Sequence, residues 1–420
     1  MLQYCYLSQD LQQKSLKQNI SEELILMDET PYTSPAYGLE RQLQVYMGGL
    51  QGQRPALPVA AEALEREASA RMTPEARGYL DGMADTMRAN RDAFRRWRIV
   101  PRMLRDVARR DLRVDVLGSV LPAPILLAPI GVQSIIHSEG EVAVARAAAA
   151  VHVPMIQSTA ATRNLEDVAT ALGTTPRWFQ LYWGKDPAFT VSVIQRAEQA
   201  GYQALVVTLD TYLLAWRPED IQHAYLPFLL GEGLGNYITD PAFRRSLPQP
   251  PEENMFAAIQ RFVEIFTNPA LTWQDIAWLR QQTKLPILLK GILHPDDARQ
   301  ALDSGVDGII VSNHGGRQVE GARAALDALP DVAQAVKGQI PILFDSGIRC
   351  AADAFKAIAL GARAVLLGRP YICGLALGGQ EGVEEVLRNF LADLDLTLAL
   401  SGYTSYRALE PSALVRESIV

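Results

Sequence analysis

The stretch Ser312 to Gln318 reads SNHGGRQ: an imidazole stands two residues after a hydroxyl, three before a guanidinium, and beside two consecutive glycines. An imidazole changes charge near neutral pH and can move protons, while a guanidinium forks onto carboxylate or phosphate oxygens. Two readings fit these seven residues equally. They are an ordinary Gly-rich turn carrying a polar histidine, or a binding loop in which glycine lets the backbone approach a ligand. Other charges sit at the ends of apolar runs: Asp210 closes ALVVTLD, Lys290 closes PILLK, Asp345 closes PILFD, and Arg369 follows AVLLG. A charge in such a place is costly unless it is used or paired.

The elements that must position these groups alternate along the chain. From about residue 120 onward there are eight short apolar runs: PILLAPIG, VPMIQST, PRWFQLYW, ALVVTLD, PILLKG, GIIVSN, PILFDSG and AVLLGRP. Each has the length of a buried parallel strand. Between them lie amphipathic stretches such as NLEDVATALG and AADAFKAIALG, several opening on Asn or Asp and closing on Gly, as helices do. Eightfold alternation predicts a (β/α)8 TIM barrel, in which active sites form where strands end. The eight ends supply Gly131, Ser158 with Thr159, Gln180 with Tyr182, Thr208 with Asp210, Lys290, Ser312 with His314, Asp345 with Gly347, and Gly368 with Arg369. Any one of these alone reads as a capping or solvated loop residue. A lysine, aspartates, a histidine and arginines converging on one rim weaken that reading.

Two stretches stand outside the alternation. Residues 217–270 form an insertion after strand four, containing SLPQPPEEN, far longer than an ordinary strand-to-helix connection and a candidate lid. The region before residue 120 is helical in pattern and is expected to cover the barrel (about 120–400) from outside, with residues 1–35 a mobile extension to a domain spanning 36–420. The chain has 420 residues, 48% hydrophobic and 21% charged, with net charge -7. This is ordinary globular composition, and the acidic balance argues against a nucleic-acid partner. Cys5, Cys350 and Cys373 are too few and scattered for a disulfide framework or metal cluster, so no metal is expected. No secretory pattern opens the chain and no run approaches the roughly 18 apolar residues of a membrane span, so a cytoplasmic protein is expected.

The motifs SNHGGRQ, LLKGI, FQLYW, DSGIR and LGRPY, in this order from about Ala36 onward, resemble the FMN-dependent L-2-hydroxy acid oxidising enzymes, which include glycolate oxidase, lactate oxidase and lactate 2-monooxygenase. Through LDTYLLAWRPEDI, NYITDPAF and the insertion they open, the chain looks most like the lactate 2-monooxygenase branch. The resemblance implies FMN, with its phosphate at Asp345, Gly347, Arg349, Gly368 and Arg369. It places the ring over Pro129, Ile130 and Gly131, its polar edges at Ser158, Gln180, Thr208 and Ser312, and Lys290 beside N1. It further implies that Tyr79, Arg217 and Arg317 bind the substrate carboxylate, Tyr182 the hydroxyl, and that His314 is a base paired with Asp210. The partners implied are a small L-2-hydroxy acid and O2, in a homo-oligomer of four or eight subunits, with no nucleic acid and no membrane. The chain departs from the family in a segment after Tyr79 about three residues short, in Ala160 where glycolate oxidase has tryptophan, and in Ser346 where many members have glycine.

The leading expectation is oxidative decarboxylation of the monooxygenase kind, yielding a shortened acid, CO2 and water. A simple oxidase releasing 2-oxo acid and peroxide is the alternative. Outside this class stand a barrel binding a phosphorylated ligand without flavin, and a catalytically specialised descendant.

Overall fold

The structure is a computed structural model, and it describes residues 36–417. The expected 1–35 extension lies outside the described residues. Eight parallel strands close into a barrel: β1 Ile125–Leu127, β2 Met155–Ser158, β3 Arg177–Leu181, β4 Leu205–Thr208, β5 Ile287–Ile292, β6 Gly308–Val311, β7 Ile342–Phe344 and β8 Ala364–Leu367, with β8 paired to β1. Each of the eight apolar runs supplies one strand.

Strand side chains alternate in direction, so residues two apart share a face. The inward-facing layer is apolar: Leu126, Ile156, Trp178, Val206, Leu288, Ile310, Leu343 and Leu366 form one buried cluster. Two residues further along each strand stand Ala128, Ser158, Gln180, Thr208, Lys290, Ser312, Asp345 and Gly368. The same alternation that fills the barrel with hydrocarbon therefore delivers a ring of small and polar groups above it. Outward-facing strand residues such as Phe179, Val207, Leu289 and Phe344 pack with the surrounding helices in a second, larger core.

The region before residue 120 departs from the helical expectation in its last third. Helices occupy Tyr37–Gly49, Ala61–Arg71, Pro74–Leu80 and Ala84–Arg95, and Thr73 caps the third by accepting the Ala76 N–H. Residues 97–121 instead form short strands. Trp97–Ile99 pairs antiparallel with Leu414–Arg416. Val114–Val116 and Ser119–Leu121 make a hairpin whose Val114, Val116 and Leu121 belong to the barrel's inner apolar cluster. Val114 and Val116 are buried and Asp115 between them is exposed, as neighbouring residues of a strand face opposite ways.

The insertion after β4 is a packed unit with short helices and a long one at Met255–Phe266, before the barrel helix Asp275–Gln282. Its Phe228, Tyr237, Phe243, Phe262 and Phe266 form ring contacts with one another and with Phe189 of the barrel helix Pro187–Gln199. Asn236 donates to the carbonyls of Ser158 and Thr159, which docks the insertion on the end of β2. Among the described residues no helix is long and apolar enough to cross a membrane.

Candidate active site

A cavity of about 760 Å³, counting the open solvent at its mouth, lies above the apolar layer at the strand ends. Its walls include Pro129, Ile130, Gly131, Tyr182, Lys290, His314, Arg317, Asp345, Gly347, Arg349, Gly368 and Arg369 from the barrel, and Tyr79 from the helix Pro74–Leu80. Leu366 and Ala128 belong to its floor. Of the expected residues, Ser158, Gln180, Thr208, Ser312, Asp210 and Arg217 are not in this lining. Ser312, Asp210 and Arg217 stand one hydrogen bond behind it.

Behind the wall the polar ring is interlocked. Lys290 Nζ donates to Ser312 Oγ at 2.9 Å and pairs with Asp345 at 3.1 Å, while Ser312 Oγ donates to Asp345 at 2.6 Å. Burial pulls the Lys290 ammonium down, but Asp345 and Asp210 outweigh it, so the lysine stays charged above its usual range. Asp345, expected at a phosphate, is thus already committed to Lys290. Ser158 Oγ donates to Gln180 Oε1 at 2.9 Å, which leaves the buried Gln180 Nε2 without a partner among the described residues.

His314 sits in a left-handed conformation at φ 58°, followed by Gly315 at 67° and Gly316 at 80°. The two glycines adopt this region freely, but His314 does so only where its surroundings fix it. Here each N–H has its own side-chain acceptor: Ser312 Oγ for His314 (3.0 Å), Ser346 Oγ for Gly315 (3.0 Å) and Asn313 Oδ1 for Gly316 (3.1 Å). Asn313 is in turn locked to Asn90 by two reciprocal amide bonds of 2.8 and 2.9 Å. The glycines of SNHGGRQ therefore serve this geometry. A Cβ on Gly316 would also meet Met87 at 3.0 Å, where the N-terminal helices roof the loop.

His314 Nδ1 lies 2.8 Å from Asp210 Oδ1 and 3.1 Å from Thr211 Oγ1. A carboxylate partner places the ring proton on Nδ1 and leaves Nε2 with its lone pair. Burial, with the nearby Lys290 and Arg317 cations, holds the His314 pKa below the ordinary imidazole value against the pull of Asp210. Burial alone would raise Asp210, yet His314 and Lys290 keep its carboxyl below the usual range. Near neutral pH this is a neutral base beside an anion. Asp210 fits there because β5 bulges between Lys290 and Ile292 at Gly291, φ 111°, where a Cβ would lie 2.8 Å from Asp210 Cβ.

Cations gather around the rest of the cavity. Burial and repulsion from Arg217 and Arg369 push the Arg317 guanidinium down to about 9, and it lies 4.8 Å over the Tyr79 ring. Burial and the neighbouring Arg369 push Arg349 down to about 10, and its Nε meets Glu65. Arg369 donates to the Leu80 carbonyl at 2.9 Å but its buried Nε has no partner among the described residues. Such a set favours an anion in the cavity. Arg217 is outside the cavity lining but acts on Tyr79, Tyr182 and Arg317 within it; it donates to the Arg317 carbonyl and Gln318 Oε1 and pairs with Asp220 at 3.6 Å. Ala160 is buried, and its carbonyl accepts the Val132 N–H. Burial also raises the Tyr182 phenol, which keeps its proton and can donate it.

Sequence reasoning missed Asn90, Thr211 and Gly291, whose roles depend on partners distant in the chain. Ser346 was noted only as a departure, but its φ of 95° explains why glycine suits the position, since a side chain there costs about 1–3 kcal/mol.

Comparison with known proteins finds the profile of a family described as FMN-dependent dehydrogenase over residues 68–416. An L-lactate oxidase of Lysinibacillus sphaericus is 46% identical over 362 residues, covering 86% of this chain and 93% of that protein. The human 2-hydroxyacid oxidase 1 is 40% identical over 345 residues, covering 81% and 91%. A crystal structure of mandelate oxidase superposes with a TM-score of 0.76 at 35% identity, covering 86% of this chain and 99% of that one.

Proposed function

The chain belongs to the FMN-dependent dehydrogenase family, and from that footing we propose that it oxidises a small, lactate-like L-2-hydroxy acid with dioxygen as final acceptor. It is an FMN-dependent oxidoreductase acting on 2-hydroxy acids. The observation that carries the finer reading is the neutral, Asp210-paired imidazole of His314 in one cavity with Arg317 and a cationic, glycine-lined end.

The residues fit FMN. The unpartnered Gln180 Nε2 and Arg369 Nε, the cations Arg349 and Arg369, and the small Gly347 and Gly368 suit a polar-edged ring with an anionic tail. Arg349, Arg369 and the backbone at Gly347 and Gly368 would hold the phosphate, where the helix beginning at Arg369 presents its N-terminus. Pro129, Ile130 and Gly131 would back the ring, with Ser158, Gln180, Thr208 and Ser312 at its edges and Lys290, anchored by Asp345, opposing negative charge. When bound, FMN supplies the acceptor for the two electrons and the hydrogen leaving the substrate carbon.

Arg317 would clamp the substrate carboxylate against Tyr79, with Arg217 bracing the Arg317 main chain from behind. Tyr182, kept protonated by burial, would donate to the substrate. His314 Nε2 would take the proton released as the alcohol becomes a carbonyl, and Asp210 would stabilise the resulting imidazolium.

Two product outcomes follow. The insertion docked on the β2 end by Asn236 favours retention of the 2-oxo acid and its oxidative decarboxylation, lactate and O2 giving acetate, CO2 and water. The likeness to L-lactate oxidase favours release of 2-oxo acid and peroxide. Peroxide and CO2 counted per turnover, across a panel of hydroxy acids under air, decide between them. A protein that reduces no FMN with any member of the panel overturns the proposal as a whole. The exposed Tyr212, Leu213, Leu214 and Trp216 suit a self-association surface; the number of subunits, four or eight, rests on the family resemblance, and light scattering tests it.

A further inference from the structure

We propose that Ser346 is a positioning residue for His314: its hydroxyl, carried by the loop after β7, fixes the peptide that follows the imidazole on the loop after β6. This deepens the proposed reaction and rests on His314 being its base.

Ser346 is buried and lines the cavity between Asp345 and Gly347. Its backbone lies at φ 95°, where glycine sits freely and a side chain does not. The hydroxyl stands 3.0 Å from the Gly315 N–H, 3.3 Å from the Asn313 N–H and 3.4 Å from Ser312 Oγ. Its partners thus flank His314 on both sides. Ser312 and Asn313 also hold this loop, and they are themselves anchored from outside it, Ser312 by Lys290 and Asp345 and Asn313 by Asn90. Ser346 adds the direct bond from the β7 loop to the peptide that follows His314. It ties the base to the same β7 loop that carries Gly347 and Arg349, the groups assigned to the anionic tail of the cofactor. Filling of that end and the aim of His314 are thereby linked through the Ser346 oxygen, beside the path from Asp345 through Ser312.

Two variants separate the hydroxyl from the strain. Ser346→Gly removes the oxygen and relieves the backbone, whereas Ser346→Ala removes the oxygen and keeps the strain. In both, amide hydrogen exchange over Ser312–Arg317, followed by mass spectrometry in FMN-loaded and FMN-free protein, should quicken roughly tenfold, the loss of one ordinary hydrogen bond. Anaerobic flavin reduction by L-lactate should slow by about tenfold or more, with its acid limb displaced. The Ser346→Gly melting temperature should equal or exceed that of the parent, while that of Ser346→Ala should fall. The proposal is overturned if Ser346→Gly keeps parental exchange, rate and pH profile, or if only Ser346→Ala is impaired, since strain would then be the cause. A drop in FMN affinity with an unchanged rate per bound FMN overturns it too. Should the parent itself fail to reduce FMN with any hydroxy acid, the reading of the reaction fails instead, and the exchange comparison still judges the hydroxyl.

Discussion

Replacing Asp210 by asparagine removes a charge while leaving an acceptor for the Nδ1–H of His314, so it isolates electrostatics from orientation. The pair stands at 2.8 Å and is buried, with Thr211 Oγ1 at 3.1 Å as a second support for the ring. A hydrogen bond to a charged partner contributes about 1.5–3 kcal/mol. That interaction favours the protonated ring, so its loss should lower the His314 pKa further below the ordinary imidazole value. The sign is definite. His314 already titrates below the ordinary imidazole value because of burial, and Asp210 is what opposes that shift. The acid limb of flavin reduction should therefore move to lower pH, and its plateau should fall roughly 10- to 150-fold as the imidazolium loses its stabiliser. Stopped-flow reduction of the FMN-loaded enzyme by L-lactate without oxygen, between pH 4 and 9, measures both. A plateau within about twofold of the parent with an unmoved acid limb refutes the assignment of His314 as base.

Other substitutions probe separate parts of the site. Gly291→Ala sets a Cβ 2.8 Å from Asp210 Cβ at φ 111°; we expect a stability loss of about 1–3 kcal/mol by denaturant melt and slowed flavin reduction. Arg317→Lys surrenders the fork, and KM for the hydroxy acid should rise about tenfold to a hundredfold in steady-state assays. Lys290→Met leaves Asp345 unpaired and removes a fixed cation; the flavin reduction rate should drop by about 10²–10³, while unchanged reduction would argue against the lysine's place beside the ring. Trp178→Ala empties part of the inner apolar layer and should cost about 3–5 kcal/mol in chemical unfolding with little change in KM.

The barrel was legible because its signals are local: short apolar runs, amphipathic stretches and glycine stops recur in register along the chain. The rim was legible for the same reason, since a residue two positions beyond a buried Leu or Ile shares its direction, which put Lys290, Ser312 and Asp345 in one ring. What escaped were partnerships made across long distances. Asn90 meets Asn313, and Gly291 makes way for Asp210, through space that no periodicity encodes. The hairpin at Val114–Leu121 was read as helical because each of its strands has only three residues, too few to display a period against its flanks. Arg217 carries the same lesson. Its position beside the site was readable, but its orientation depends on Gln318 and Asp220, which compete for the guanidinium.

The hairpin Val114–Leu121 fills the lower end of the barrel with Val114, Val116 and Leu121. That end is packed with side chains, so the cavity stands at the opposite, rim end of the barrel. If hydroxy acid and 2-oxo acid use the same entrance there, product should compete with fresh substrate, which initial rates with added 2-oxo acid would show.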